Sequence, residues 1–356
     1  MDKFHSDSIY QRLENMRKFT FIMLMIGGFI GQMSAQQDPM FTKYMFNSLA
    51  YNPGFAGSPE YLSVRALQRG QWLGIDGAPT TQSVTMHMPF KERVGLGMSV
   101  VNDKIGATGS TSAFLAYAYR VPFSNGKLSM GLQAGAMNWR ADWSVLRYRD
   151  PRELDTSFST DTPSRWMPNF GVGIFYYAPK YYVGFSVPQL ISWDLGDKVA
   201  SSSGGNISAR GAKYYRHYYF SAGAAFALNG DALYFKPSIL IKSVGLLGEL
   251  ASQSNALNVV GAPTEFDIDF SFLFFESLWL GTSFRSAFSA NAFGGESSFD
   301  SIDFWGSFYL RNGLRIGMSY DYTISKLRPV SGASYEIMLG YDFNFSGKKL
   351  TTPRYF

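Results

Sequence analysis

The sequence predicts an all-β protein, a transmembrane antiparallel β-barrel of about 14 strands with an irregular N-terminal periplasmic segment. Three observations support this prediction. Polar and apolar residues alternate in segments of about ten residues, aromatic residues cluster near the segment ends, and short connections alternate with long ones. Charged residues make up only 17% of the chain, well below the roughly 25% of soluble domains.

The N-terminus has the pattern of a secretory signal peptide. Arg17 and Lys18 precede an apolar stretch over 19–31, and Ala35 precedes a polar sequence. A basic region, a short apolar core and a small residue at the cleavage site are typical of such a peptide. We therefore expect residues 1–35 to be removed, and we favour Met16 as the true start, with the first fifteen residues as an upstream extension. An uncleaved anchor helix is the alternative, although the stretch is shorter than the roughly 18 apolar residues that a span requires.

Alternation is clearest in the C-terminal third of the chain. In the segment 265–272, four apolar side chains alternate with Asp267, Asp269 and Ser271. A period of two places the two sets on opposite faces of a strand. At about ten residues, such segments exceed the 5–6 residues usual in globular sheets. The predicted strands are 62–72, 83–90, 94–100, 110–122, 127–139, 166–178, 180–190, 213–228, 232–243, 265–275, 277–287, 301–311, 313–324 and 334–346.

Connection lengths alternate along the chain. Asn-Gly at 229–230 and at 312–313 is a strong hairpin signal because both positions favour positive φ. Short turns on one side and long loops on the other are typical of outer-membrane barrels. The short connections are 90–93, 123–126, 178–180, 229–230, 275–277 and 312–313; the long ones are 139–165, 190–212, 244–264 and 287–300, with intermediate ones at 101–109 and 325–333.

Aromatic residues near strand ends predict girdles at the two lipid–water boundaries, where amphipathic rings are favoured. The candidates are Trp72, Tyr117, Tyr119, the stretch from Tyr214 to Tyr219, Trp279, Trp305 and Tyr309. The last predicted strand ends in alternating aromatic residues, Tyr341, Phe343 and Phe345, similar to the terminal strands of barrels that are inserted by dedicated machinery. The barrel is therefore predicted to span 61–346, with a periplasmic tail over 347–356.

The residue types present give little support for catalysis. The chain has no cysteine, which excludes disulfides and thiolate sites. His87 and His217 lie on separate strands, and we interpret both as lumen or interface residues. Asp267 and Asp269 share a face that Arg285, Arg315, Glu336 and Asp342 could complement, which favours a mixed-charge lumen.

Other short motifs have ordinary interpretations. The glycines at period two in GLGMS and GVGIF do not form a nucleotide-binding loop. The acidic stretch 155–162 could bind calcium weakly, but a solvated loop is favoured. A net charge of +5 without a long basic run does not favour nucleic acid as a partner. We predict no enzyme activity, cofactor or metal.

The region 36–90 carries a more specific pattern, which runs from QQDPMFTKYMFNSLAYNPGFAGSPE to RALQRGQWLGIDGAPTTQSVTMHMPF. It closely resembles the PorP/SprF family of outer-membrane proteins associated with type IX secretion and gliding motility. Gly54 departs mildly from that pattern. The matching positions are Asp38, Pro39, Tyr44, Met45, Asn47, Asn52, Pro53, Ala56, Gly57, Ser58, Arg69, Gln71, Trp72, Gly77, Ala78, Pro79, Thr80, Thr81 and Gln82.

The resemblance implies a non-enzymatic outer-membrane component that supports export or surface anchoring of cargo such as adhesins. Its implied partners are type IX secretion components, including periplasmic proteins, secreted cargo and the lipid bilayer; no small-molecule substrate is expected. Within 36–60, the resemblance predicts a plug or docking segment, and an end-clamp is the structural alternative. A passive porin or small-solute transporter is the alternative function. The predicted plug or docking residues are Asp38, Pro39, Tyr44, Met45, Asn47, Asn52, Pro53, Gly57, Arg69, Trp72, Gly77 and Pro79.

Overall fold

The structure, a computed structural model, describes residues 41–59, 61–145, 162–195, 213–230, 232–244, 264–287, 299–325, 328–329 and 331–343. The predicted signal peptide, the tail over 347–356 and most of the acidic stretch 155–162 lie outside these residues. Within them, no helix is both long and apolar enough to cross a membrane.

The described chain is built almost entirely of strands. They are β1 Leu62–Gly70, β2 Thr80–Lys91, β3 Val94–Ile105, β4 Thr108–Phe123, β5 Gly126–Ala141, β6 Thr162–Tyr177, β7 Tyr181–Val187, β8 Trp193–Asp194, β9 Lys213–Tyr214, β10 His217–Ala224, β11 Phe226–Asn229, β12 Leu233–Val244, β13 Glu265–Phe274, β14 Leu278–Ala287, β15 Phe299–Tyr309, β16 Leu314–Thr323 and β17 Ser334–Phe343.

The strands close into a barrel. Sequential strands pair antiparallel, β1 pairs with β17, and β10 pairs with both β7 and β12. Because β10 and β11 flank Ala225 and both pair with β12, they form one interrupted strand, and the described barrel has 14 strands. The predicted fold class is therefore confirmed. Strands β8 and β9 form a separate small hairpin, which the sequence did not indicate.

The two faces of the barrel differ as the alternation predicts. On β16, Ile316, Met318 and Tyr320 are exposed on the outside, while Ser319 and Asp321 are buried on the lumen side. An apolar outer band with a polar interior is what a lipid-spanning barrel requires. Closure also pairs the backbone groups of neighbouring strands, which removes open edges from the bilayer.

The strand directions define two barrel ends. We call the end that carries the turns after β2, β4, β6, β11, β13 and β15 the short-turn end; β1 begins there and β17 ends there. The other end, the long-connection end, includes the connection 71–79 between β1 and β2. The prediction of an intermediate-length connection over 101–109 is wrong, because β3 continues to Ile105 and β4 begins at Thr108. Only two residues remain for the turn, and the positive φ of Gly106, 57°, suits it.

The predicted aromatic girdles are only partly correct. Tyr117 and Tyr119 are exposed on the outer face. Trp305, by contrast, is buried in the lumen on the face it shares with Asp303, and the partly buried Trp279 packs beside it. The stretch from Tyr214 to Tyr219 also departs from the prediction: its four tyrosines, Tyr214, Tyr215, Tyr218 and Tyr219, are all buried. Position along the strand alone did not indicate these orientations; that of Trp305 follows from the period-two alternation, whereas the consecutive buried tyrosines do not alternate.

The outer face supplies a direct test of the register. Leu339, 52% exposed and near the middle of β17, should face lipid. Leu339→Arg should therefore cost about 2–4 kcal/mol in the free energy of unfolding, whereas Leu339→Met should have little effect. Denaturant titration in lipid vesicles measures both variants, and equal stability would show that this position does not face hydrocarbon.

Candidate functional site

The lumen contains residues 41–59, which we call the lumen segment. Three short 3-10 turns make up about half of it: Tyr44–Phe46, Ser48–Ala50 and Pro53–Phe55. The third turn is fixed locally, because Asn52 Oδ1 accepts a hydrogen bond from Gly54 N at 2.8 Å and Pro53 occupies the first turn position. Asn at the cap and Pro immediately after it both favour such a start.

The lumen segment runs along the barrel interior rather than lying across one end. Its first residues, Thr42 and Lys43, bond to Glu336 on β17, near the long-connection end. Gly57 lies against Met88 and Gly95, where β2 ends and β3 begins at the short-turn end. The segment then leads directly into β1 at the same end.

Apolar side chains of the lumen segment pack against opposite walls. Leu49, Phe55 and Ala56 form one buried cluster with β4, β6 and β7 residues, namely Ala116, Ala118, Phe175, Tyr177 and Tyr182. Tyr44 and Tyr51 pack with Tyr219 and Leu240 on β10 and β12. Phe46 makes edge-to-face contacts with Trp279 and Trp305, with ring centroids 4.9 and 5.5 Å away. Aromatic pairs at such distances and angles are favourable.

Lumen-facing glycines let one wall approach the segment closely. A Cβ atom at Gly95 would overlap the Ala56 carbonyl, one at Gly131 would overlap the Gly54 amide, and one at Gly173 would overlap Asn52 Oδ1. Gly95 and Gly173 belong to the GLGMS and GVGIF motifs; Gly97 of the first motif also faces the segment, whereas Gly171 of the second lies against Pro188. Sequence reasoning used these motifs only to exclude a nucleotide loop, so it missed their packing role.

Hydrogen bonds join the segment to several strands. Asn47 Nδ2 donates to Ser83 Oγ, and Asn47 Oδ1 accepts from Thr85 Oγ1, each at 3.1 Å. The hydroxyl groups of Tyr44 and Ser238 lie 2.8 Å apart. Further bonds are Ser186 Oγ to Tyr51 O at 2.7 Å, Asn52 Nδ2 to Ile174 O at 3.2 Å and Arg120 Nη1 to Gly57 O at 2.6 Å. These bonds satisfy polar groups that would otherwise be costly to bury.

A charged cluster holds the first residues of the segment; we call it the anchor cluster, and it comprises Thr42, Lys43, Arg69, Asp321 and Glu336. The amides of Thr42 and Lys43 donate to Glu336 Oε2 and Oε1, both at 2.9 Å. Thr42 Oγ1 donates to Asp321 Oδ2 at 2.8 Å and accepts from Arg69 Nη1. Arg69 Nη1 also lies 2.7 Å from Asp321 Oδ2 and 3.5 Å from Glu336 Oε2.

Lys43 supplies the second cation of the anchor cluster. Its Nζ lies 4.4 Å from the centroid of the Trp305 ring. Burial lowers the pKa of Lys43 to about 8, although Glu336 and Asp321 act in the opposite direction. The neighbouring carboxylates therefore offset only part of the cost of burying this ammonium group.

The lumen beyond the anchor cluster also contains the mixed charges that the sequence predicted. Arg285 pairs with Asp267 through two hydrogen bonds of 2.8 and 3.1 Å. His87 and His217 are both buried, and His217 Nδ1 lies 3.0 Å from Tyr215 O. Among the described residues, no group of three or more metal-ligating side chains comes together.

The structure brings together seven of the twelve predicted site residues. Trp72, Gly77 and Pro79 lie apart from them, in the connection 71–79 at the long-connection end. There Trp72 N donates to Ser334 Oγ at 3.1 Å, and Gly77 O accepts from Gly106 N at 2.8 Å. Asp38 and Pro39 lie outside the described residues. The seven in or beside the lumen segment are Tyr44, Met45, Asn47, Asn52, Pro53, Gly57 and Arg69.

Comparison with known families identifies the chain. The family model described as "Type IX secretion system membrane protein PorP/SprF" matches residues 33–341. The chain belongs to the PorP/SprF family. The family is one of secretion-system membrane proteins rather than enzymes, and membership covers the lumen segment and nearly all of the barrel.

Solved structures that resemble this PorP/SprF protein are membrane barrels. The CymD monoaromatic hydrocarbon channel matches with a TM-score of 0.50 and 10% identity, over 84% of this chain and 92% of the channel. Omp33 of Acinetobacter baumannii matches at 7% identity and a TM-score of 0.43, over 80% and 98% of the two chains. At this identity, the CymD likeness extends to the fold alone. A comparison with curated proteins finds no match.

Proposed function

We propose that this PorP/SprF protein is a non-enzymatic outer-membrane component of the type IX secretion and gliding-motility apparatus that supports export or surface anchoring of cargo such as adhesins. The family match over residues 33–341 carries this proposal. The closed barrel supports the outer-membrane location, since only a closed barrel or a helix satisfies the backbone in lipid. Export would use the signal peptide 1–35, and the short-turn end would face the periplasm, as in other outer-membrane barrels.

We assign the region 36–60 the role of a plug. Tyr44, Asn47 and Asn52 are almost fully buried against the lumen wall, so a partner could not contact them directly while the segment is seated. Secretion components and periplasmic proteins would instead meet the barrel at its two ends. At the short-turn end, the lumen segment is followed in the chain by β1. A partner bound at that end would therefore lie next to the point where the plug enters the barrel wall.

A passive porin is the competing function. A barrel of 14 strands lies between the eight-stranded barrels that side chains fill and the 16–18-stranded porins with aqueous channels. Here the space is occupied by a segment whose residues Tyr44, Leu49 and Ala56 are at most 2% exposed. This occupancy favours the secretion component over an open pore.

Replacing Tyr44, Met45 and Asn47 together with Ala tests the plug against a simple end-clamp. The ladder of interstrand hydrogen bonds and the lipid-facing surface remain intact, so we expect outer-membrane abundance to stay near wild type. Loss of the Tyr44 and Asn47 contacts with Ser238, Ser83 and Thr85 should nevertheless abolish most cargo display. Abundance is measured by heat-modifiable gel mobility, and cargo display by surface labelling in the same cells.

The ratio of the two measurements decides between the roles. For an end-clamp, abundance would fall and cargo display would decline only in proportion to it, which would overturn the plug role. Tyr51→Phe is the matched control, because it keeps a buried ring in the segment and removes only the hydroxyl that donates to Ser48 Oγ. This control should retain both abundance and cargo display.

A further inference from the structure

The lumen segment leaves a cavity beside it toward the short-turn end. The walls of the cavity come from the lumen segment, from Tyr61 and from strands β1, β2, β6, β7, β12, β13, β14 and β16. The side chains that matter for its chemistry are Phe46, Tyr61, Arg65, Lys236, Trp279 and Arg315.

The two arginines in this cavity share one carboxylate. Arg65 Nη1 lies 2.6 Å from Asp342 Oδ1, whereas Arg315 Nη2 lies 4.0 Å from Asp342 Oδ2. Arg315 Nε is buried and has no hydrogen-bond acceptor among the described residues. One carboxylate neutralises one guanidinium, so Arg65 and Arg315 together with Asp342 carry a net positive charge. A charge in such a poorly solvated environment is costly unless it is paired.

The other carboxylate in the cavity wall, Asp269, is engaged through one oxygen, while its Oδ1 is buried without a hydrogen-bond partner among the described residues. Asp269 Oδ2 accepts from Ser283 Oγ and from Trp305 Nε1, each at 2.7 Å. The Oδ2 atom of Asp269 therefore faces Ser283 on β14 and Trp305 on β15. A planar guanidinium with unused donors matches the two oxygens of an incoming carboxylate, which is the pairing that Arg forms best.

Aromatic rings surround the arginine that is less completely paired. The guanidinium carbon of Arg315 lies 5.4 Å from the centroid of the Phe46 ring and 4.9 Å from that of Tyr309. On the facing wall, Lys236 Nζ lies 3.4 Å from the centroid of the Trp279 ring. A ligand that fits these walls carries an apolar or aromatic body next to its charged group.

We propose that this cavity is a binding site for a carboxylate attached to an apolar or aromatic group, with Arg315 as its principal anchor. A free small acid and the C-terminal residue of a peptide share this chemistry. The site requires neither the plug role nor the secretion role of the barrel, because it follows from the side chains that line the cavity.

Titration of the full-length, detergent-solubilised protein with N-acetyl-L-phenylalanine tests the site, with calorimetry and tryptophan fluorescence as readouts, since Trp279 lines the cavity. The uncharged N-acetyl-L-phenylalaninamide is the matched probe. We expect the acid to bind about tenfold or more tightly than the amide, because only the acid forms a charge-assisted pair with Arg315. Equal affinity of acid and amide would overturn the proposal.

Substitutions of Arg315 test whether this residue anchors the carboxylate of the ligand. Arg315→Gln should weaken binding of the acid about tenfold or more and leave the weak binding of the amide unchanged. Arg311→Gln is the control, since Arg311 is an exposed arginine in the turn before β16 at the same barrel end. If Arg315→Gln does not give a heat-modifiable barrel, Arg315→Lys keeps the charge and removes the planar fork, and it should weaken acid binding to a smaller extent. Unchanged acid affinity in the folded Arg315 variant would overturn the proposal.

Titration with a short peptide distinguishes the two sources of the carboxylate, a free small acid and the C-terminal residue of a peptide. A short peptide ending in Phe, with a free or an amidated C-terminus, is titrated in the same way. Binding of the free-acid peptide supports the proposal with a chain terminus as the ligand. Binding of N-acetyl-L-phenylalanine without binding of the peptide supports it with a small acid as the ligand.

Discussion

Replacing residues 42–57 with a Gly–Ser linker of the same length should convert a barrel with little conductance into an open channel. The buried clusters around Leu49, Tyr51 and Phe46 would disappear, and the remaining wall would be polar and charged. Barrels slightly larger than 14 strands hold aqueous channels, so the emptied lumen should conduct ions. Single-channel recording in planar bilayers measures the change, which should be the largest that any variant described here produces.

The linker variant must be compared with Tyr51→Phe, which keeps the segment seated. Tyr51→Phe should conduct as little as the wild type. A wild-type protein that already conducts steadily would instead support the passive-porin alternative. Equal low conductance of the wild type and the linker variant would mean that residues 42–57 do not close the lumen.

Most of the fold could be predicted from the sequence because a lipid-spanning barrel imposes a period of two that few other folds sustain. Phe270, Ile316 and Leu339 are exposed on the outer face, as their alternation indicates. One error arose where position along the strand was used instead of alternation. Trp305 lies on the same face as Asp303, so it contacts the lumen segment rather than a lipid boundary.

The candidate site could be predicted only in part. The family resemblance indicated Arg69 and Asn47 as site residues, and the alternation of polar and apolar residues indicated Glu336 as a lumen residue. The contact between Glu336 and Thr42 joins residues 294 positions apart, and such a pairing depends on barrel closure and strand register, which composition and alternation do not specify. The cavity around Arg315 was missed for the same reason, because its lining comes from strands that are distant in sequence.

Glu336→Gln should cause a substantial loss of stability. Glu336 is fully buried and accepts the amides of Thr42 and Lys43, while Arg69 lies within 3.5 Å of it. Glutamine offers one acceptor oxygen in place of two and carries no charge. Removing one partner from a buried ion pair typically costs about 3–5 kcal/mol. Because Asp321 lies 2.7 Å from Arg69 and still compensates its charge, we expect a loss at the lower end of this range, which denaturant titration measures.

An exposed ion pair in the same barrel supplies the control. Arg140 and Asp142 lie 4.0 Å apart with side chains 62% and 50% exposed, and such pairs contribute about 0–1 kcal/mol. Asp142→Asn should therefore leave the free energy of unfolding, measured by denaturant titration, nearly unchanged. If Glu336→Gln matched this small effect, the anchor cluster would not hold the lumen segment. If Glu336→Gln causes a large loss that Arg69→Gln does not deepen in the double variant, the two residues act as one unit.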